Sequence, residues 1–150
     1  LLTGVLSIFR AGRFISNAIN LACFLGEGQW LAGEDEKAIQ TLEEGLEMAE
    51  RYGVRYHAGF AQRLLGEMDL KTSPAQAEIH FERSITVLQE IKAENELALA
   101  YKGYGFLTKQ QNQITQAKEY LTKALKIFER LCTPLEQNKV REILAELPEA

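Results

Sequence analysis

The sequence predicts an all-α fold of stacked antiparallel helix pairs, and three observations predict it. Small and bulky residues recur at matched steps in three segments, a glycine stands eleven or twelve residues before each set, and turn-forming residues fall between. The sets are Ala38, Leu42, Gly45, Leu46, then Ala77, Phe81, Ser84, Ile85, then Ala117, Leu121, Ala124, Leu125. Steps of four, three and one lay each set along a single helical face, so every segment carries a stripe that must be buried. Gly26, Gly66 and Gly105 are the preceding glycines, each following a large residue, Leu25, Leu65 or Tyr104. A glycine inside a helix costs roughly 1 kcal/mol relative to alanine, which suits a place where a second helix backbone crosses. Gly66 and Ala77 are then expected to form the two halves of one close crossing.

In chain order the pattern predicts a lone helix over 1–11 and helix pairs over 16–32 with 35–52, 56–71 with 74–92, and 95–110 with 114–131. A last helix covers 134–147. One domain over 1–150 is expected: residues 1–15 as the second helix of a preceding unit with its connector, three units at 16–52, 56–92 and 95–132, and a capping helix at 134–147. Ala11-Gly12-Arg13 and Tyr52-Gly53-Val54 read as helix ends with glycine in the left-handed region. Gly33 and Asn112 mark turns inside units, and the second unit turns one residue sooner. Lys92 falls where Gly53 aligns, so that connection is expected to be built differently. Ser73-Pro74-Ala75-Gln76 supplies an N-cap, a proline at the first helical position and a reach-back amide, and Thr133-Pro134-Leu135-Glu136 forms a capping box. Val140, Ile143, Leu144 and Leu147 make the apolar stripe of a solvating cap, with which the array is expected to end. Leu1, Leu2, Val5, Leu6, Ile8 and Phe9 make the opposite end unusually apolar, favouring an upstream continuation or a homodimer through this helix.

Composition narrows the function classes. With 46% hydrophobic and 25% charged residues, the 150-residue chain lies in the globular range. Its net charge of −4 is spread along the sequence, leaving no polybasic field for nucleic acid or an anionic membrane. No apolar run approaches the ~18 to 20 residues that span a bilayer. Two distant cysteines, Cys23 and Cys132, fit reduced thiols and a cytoplasmic setting better than a disulfide scaffold. His57, at the start of a helix, and His80 pair with neither cysteine at metal-ligand spacing, so no metal or other cofactor is expected.

The pairing of Leu65-Gly66 with Ala77, Phe81 and Ser84, of Leu25-Gly26 with Ala38, Leu42 and Gly45, and of Tyr104-Gly105 with Ala117, Leu121 and Ala124 resembles the tetratricopeptide repeat over residues 16 to about 132. Gln29, Asp69 and Thr108 stand where that family usually has Tyr, and glycine spacings of 40 and 39 exceed its usual length. The resemblance implies a right-handed α–α superhelix, with the first helix of each pair lining the concave side. Stretches such as NAINLACFLGEGQWLAGE and ALKIFERLCTPLEQNKVREILAELPE are similar to the C-terminal repeat region of large bacterial signalling proteins with nucleotide cyclase domains. That likeness implies upstream catalytic domains and no cyclase activity in the present residues.

Counting along the exposed face from each glycine gives the candidate groove: Asn20, Cys23, Glu27 and Trp30, then Arg63, Glu67, Leu70 and Lys71, then Lys102, Phe106, Lys109 and Gln110. Two aromatics and mixed charges suit an extended or helical peptide, from a partner or another domain of the same chain, with Arg63, Lys71, Lys102 and Lys109 meeting carboxylates. The bland alternative is a solvated helix face. Carboxylate clamping of the kind some family members use is disfavoured by Glu27, Glu67 and Phe106 where asparagine is wanted. Catalysis by Glu27 and Glu67 has no other support, and their pairing with Arg63, Lys71 or a neighbouring unit explains them more simply. Cys23 is either a groove thiol or a buried hydrophobe, Cys132 a tolerated turn residue, and Tyr52, Tyr56, Tyr101, Tyr104 and Tyr120 interhelical packing. The leading expectation is a regulatory or assembly scaffold of a signalling protein; the alternative is a sensor in which a peptide or small molecule changes the superhelical pitch. Lys102→Glu is expected to leave folding intact and change binding.

Overall fold

The computed structural model describes the backbone of residues 2–149 and the side chains of residues 12–149. It contains seven helices and, among the described residues, no strand: α1 Leu2–Leu31, α2 Asp35–Arg51, α3 Arg55–Asp69, α4 Pro74–Glu90, α5 Glu94–Gln110, α6 Ile114–Arg130 and α7 Pro134–Ala145. Six of the predicted elements fall within two residues of α2 to α7. The break expected at Ala11-Gly12-Arg13 is absent, and α1 runs through it as one helix. Glycine ends a helix only where the chain turns left-handed, and the glycines that do so are Gly33 and Gly53. Nothing lies within 4 Å of where a Gly12 Cβ would stand, so no packed neighbour forces a turn there. The apolar side chains of residues 1 to 9, and any dimer built on them, lie outside the described residues.

One turn design recurs five times. Gly33, Gly53, Lys92, Asn112 and Cys132 all have positive φ, from 55° to 79°. At each, the left-handed residue donates its N–H three residues back and the next residue donates five back, as Gly53 does to Glu50 and Val54 to Ala49. Lys92 therefore builds its connection as Gly53 does, against expectation, and its long side chain simply tolerates the left-handed backbone. These paired bonds close the helix C-termini, and the following N-termini do without side-chain caps. Ser73 caps nothing with its hydroxyl, and the Thr133 box does not form: Thr133 Oγ1 donates to the Phe128 carbonyl 3.2 Å away, while Glu136 is taken by Lys102 and Lys139.

The pairs α1–α2, α3–α4 and α5–α6 pack most extensively, each pair then packs on the next through α2–α3 and α4–α5, and α7 packs on α6. The odd helices also touch in series, α1 to α3 and α3 to α5, with no comparable contact from α2 to α4 or α4 to α6 among the described residues. What fills the glycine notches differs from expectation. A Cβ on Gly26 would meet Leu42 at 2.6 Å, one on Gly66 the Phe81 ring at 3.1 Å, and one on Gly105 Leu121 at 2.7 Å. The bulky second residue of the stripe thus seats on the glycine in all three pairs; Ala77 is not its counterpart. Close backbone approach occurs instead at the third position of the stripe. A Cβ on Gly45 would lie 3.0 Å from Ala22 Cβ, and Ser84 Oγ donates to the Gly59 carbonyl at 2.8 Å.

Leu42, Phe81, Leu121 and the flanking Leu88 and Phe128 are wholly buried. The face of α1 that carries Leu21 and Leu25 is exposed, because among the described residues no helix lies on it as α2 lies on α3. Leu65 and Tyr104, at the place of Leu25 in the later pairs, are buried.

Candidate functional site

The odd helices bring several of the candidate residues to one side. Trp30 from α1, Glu67 from α3, and Lys102 and Phe106 from α5 converge on a recess of about 250 Å³, completed by Leu70, Gly103 and Ile143. Five of the twelve candidate groove residues, Leu70 among them, therefore share one site. Asn20, Lys71 and Gln110 are exposed and lie outside its lining, as do the half-buried Glu27 and Lys109.

Arg63 departs most from expectation. It is 4% exposed, with Nε 2.8 Å from Glu96 and a terminal nitrogen 2.8 Å from Glu67. Its guanidinium also lies 5.2 Å from the centroid of the Phe60 ring. Burial works against the charge, but Glu67 and Glu96 outweigh it and keep the group firmly protonated. A guanidinium already holding two carboxylates has no fork left for a ligand. Lys102 and Lys109 are engaged in the same manner: Lys102 Nζ is 2.6 Å from Glu136, and Lys109 pairs with Glu146. Lys102→Glu would therefore set a carboxylate against Glu136 and disturb α7, so it does not separate binding from folding.

With the cations spent on internal partners, the recess presents mainly apolar surface: the Trp30 and Phe106 rings, Leu70 and Ile143. Chemically it can hold a bulky apolar group, with the edges of Glu67 and Lys102 as polar borders. Gly103 matters here through what it lacks, since a Cβ would stand 2.5 Å from the Phe81 ring. Sequence reasoning missed Ile143, read only as part of the cap stripe, and Glu96. The signal for Glu96 is present: like Glu136 it is the third residue of an odd helix, facing a basic residue three before the repeat glycine.

Cys23 is wholly buried, its Sγ 3.9 Å from the His57 carbonyl, and burial pushes its thiol up to about 11; it is a packed hydrophobe and not a groove thiol. Cys132 is exposed in a left-handed turn. Tyr101, Tyr104 and Tyr120 stack between helices as expected, whereas Tyr52 and Tyr56 are exposed. His80 Nδ1 donates to Gln62 Oε1 at 2.6 Å and its Nε2 lies 3.6 Å from Asp69.

A second recess, unforeseen from the sequence, opens on the even-helix side. It measures about 520 Å³ between α2, α3 and α4 and is bordered by Glu50, Arg55, Glu82 and Arg83. No described helix is long and apolar enough to cross a membrane. No protein-family model matches the chain. No curated protein matches it either.

Proposed function

We propose that the chain is an interaction scaffold of tetratricopeptide type, three helix pairs wound into a right-handed superhelix, that holds a peptide segment on its odd-helix face. Support comes from the equivalence of the three pairs: Leu42, Phe81 and Leu121, each the second residue of its stripe, seat on Gly26, Gly66 and Gly105. Contacts between successive odd helices, without comparable ones between even helices, are the asymmetry that bends such a stack toward its odd side.

The observation that carries the binding reading is the recess shared by four odd helices, with Trp30, Leu70, Phe106 and Ile143 around it. Rigid aromatic walls with few free charges suit one bulky apolar anchor of a peptide rather than its carboxylates. This replaces the carboxylate-steering role expected of Arg63, Lys102 and Lys109. The scaffold's regulatory place in a larger signalling protein belongs to the same proposal.

A displayed library of random peptides tests it. Enriched sequences should share a Leu, Phe or Trp anchor, and Phe106→Ala or Trp30→Ala should weaken them at least tenfold while the helical circular dichroism stays intact. Lys123→Ala, on an even helix, should leave binding unchanged. No enrichment, or enrichment indifferent to Phe106 and Trp30, would overturn the reading.

A further inference from the structure

The recess between α2, α3 and α4 has an internal counterpart that shows what fits it. The three pairs align in sequence register through Leu42 and Phe81, Gly66 and Gly105, and Phe81 and Leu121. In that register the place of Ala49 is taken by Leu88, that of Ala58 by Leu97, that of Gln62 by Tyr101, and that of Val87 by Ile127. All four replacements are larger. Leu88, Leu97 and Tyr101 belong to one buried cluster against which Ile127 packs, so the second junction is filled by its own side chains. The first junction holds two alanines, a glutamine and a valine at these places, and a space of about 520 Å³ remains.

The ring that fills the counterpart is aromatic and lies under a cation. Tyr101 stacks on Tyr120 with centroids 6.0 Å apart, and Lys123 Nζ stands 5.7 Å from the Tyr101 ring and 5.3 Å from the Tyr120 ring. Arg83 occupies the place of Lys123 and His80 that of Tyr120. Arg83 borders the recess and has no ion-pair partner among the described residues. The floor holds Gln62, 2% exposed, whose amide is already bonded to His80 and more loosely to Glu50 at 3.4 Å. Two acidic and two basic residues border the space, so it has no net charge preference.

We propose that this recess is a binding site for a small, uncharged, planar aromatic molecule, seated where the neighbouring junction places Tyr101 and covered by the Arg83 guanidinium. The volume lies within the range of ligand pockets, ~300 to 1,000 Å³. An aryl ring displaces water from the faces of Ala58 and Val87 and offers its π face to a cation that has no ion-pair partner among the described residues. The site is separate from the odd-helix recess and stands whether or not that recess binds a peptide.

The test uses p-cresol, the tyrosine side-chain analogue, titrated into the protein while amide proton and nitrogen shifts are followed. Saturable shifts should appear at Ala49, Ala58, Thr86 and Val87 with a Kd on the order of 1 mM, as for a fragment of this size. Ala58→Leu and Gln62→Tyr each copy the filled junction and should weaken p-cresol at least tenfold. Ala58→Leu leaves the Gln62 bonds intact, so it reads out the cavity even where Gln62→Tyr fails to fold. Absence of saturable shifts up to the solubility of p-cresol would overturn the site, as would unchanged affinity in Ala58→Leu. A loss of p-cresol binding in Phe106→Ala would place the ligand on the other face and overturn it too.

Discussion

Arg63 with Glu96 and Lys102 with Glu136 are the same ion pair drawn twice, since each cation stands three residues before a repeat glycine and each carboxylate is the third residue of the next odd helix. At the first junction that position holds Cys23 over the His57 carbonyl instead. The two ion pairs differ in setting. Arg63 and Glu96 have side chains 5% and 8% exposed and Glu67 joins them, whereas Lys102 and Glu136 keep about a fifth of their surface in water. The repeat thus fixes where neighbouring units meet and leaves the chemistry of the joint open: a weak thiol contact, a buried network, a partly exposed bridge.

The sharpest way to break that contrast is to remove the two cations in turn. Arg63→Met leaves the buried Glu96 and the partly buried Glu67 without a counter-charge and should lower stability by about 3 to 5 kcal/mol, read from urea unfolding. Adding Glu96→Leu should recover most of this, because an apolar pair of similar volume does not carry the desolvation penalty. Lys102→Met should lower stability by only about 1 kcal/mol, since water still reaches both partners. Equal losses at the two sites would mean that burial does not separate them.

A third substitution sharpens the role of glycine. Gly28 lies inside α1, exposed, with nothing within 4 Å of a would-be Cβ, so Gly28→Ala should raise stability by roughly 0.5 to 1 kcal/mol. Gly103→Ala meets the Phe81 ring at 2.5 Å and should lower it. Thermal unfolding distinguishes the two, and a stabilised Gly103→Ala would show that Phe81 moves aside freely.

The helices and their buried stripes were legible because periodicity is local: Leu42, Phe81 and Leu121 stand at fixed steps that any helix must place on one face. Turn type was legible at Gly53 and Asn112, where the residue itself prefers the left-handed region, and illegible at Lys92, where the closing hydrogen bonds impose it. Trp30, Glu67, Lys102 and Phe106 could be placed on one side by counting from glycines. What could not be counted was the partner across a junction. Glu96 is 33 residues from Arg63 and Glu136 is 34 from Lys102, so the sequence offered those cations to a ligand when the fold had already used them. The even-side recess was invisible for a related reason. It comes from four slightly smaller side chains on three helices, and no single one of them looks unusual.

The smallest expected effect concerns pH and follows from the direction of the Glu136 carboxyl shift. Burial alone would raise Glu136, but the hydrogen bonds from Lys102 and Lys139 outweigh it and hold the carboxyl below its usual value of 4.5. A carboxyl lowered by folding contributes stability above its unfolded pKa, and this is lost as pH falls through the folded one. The gap between the wild-type chain and Lys102→Met should therefore be full at pH 6 and close below about pH 4. His80 works in a higher window. Burial lowers it from 6.5 despite Asp69, so the unfolded chain binds the proton first and stability falls as pH drops through that range. His57, also lowered by burial, adds to the same slope. His80→Tyr, which copies Tyr120 at the matching place, should reduce the loss between pH 7.5 and 5.5 without abolishing it. A slope unchanged by His80→Tyr would mean that burial does not hold His80 below its ordinary value in the folded chain.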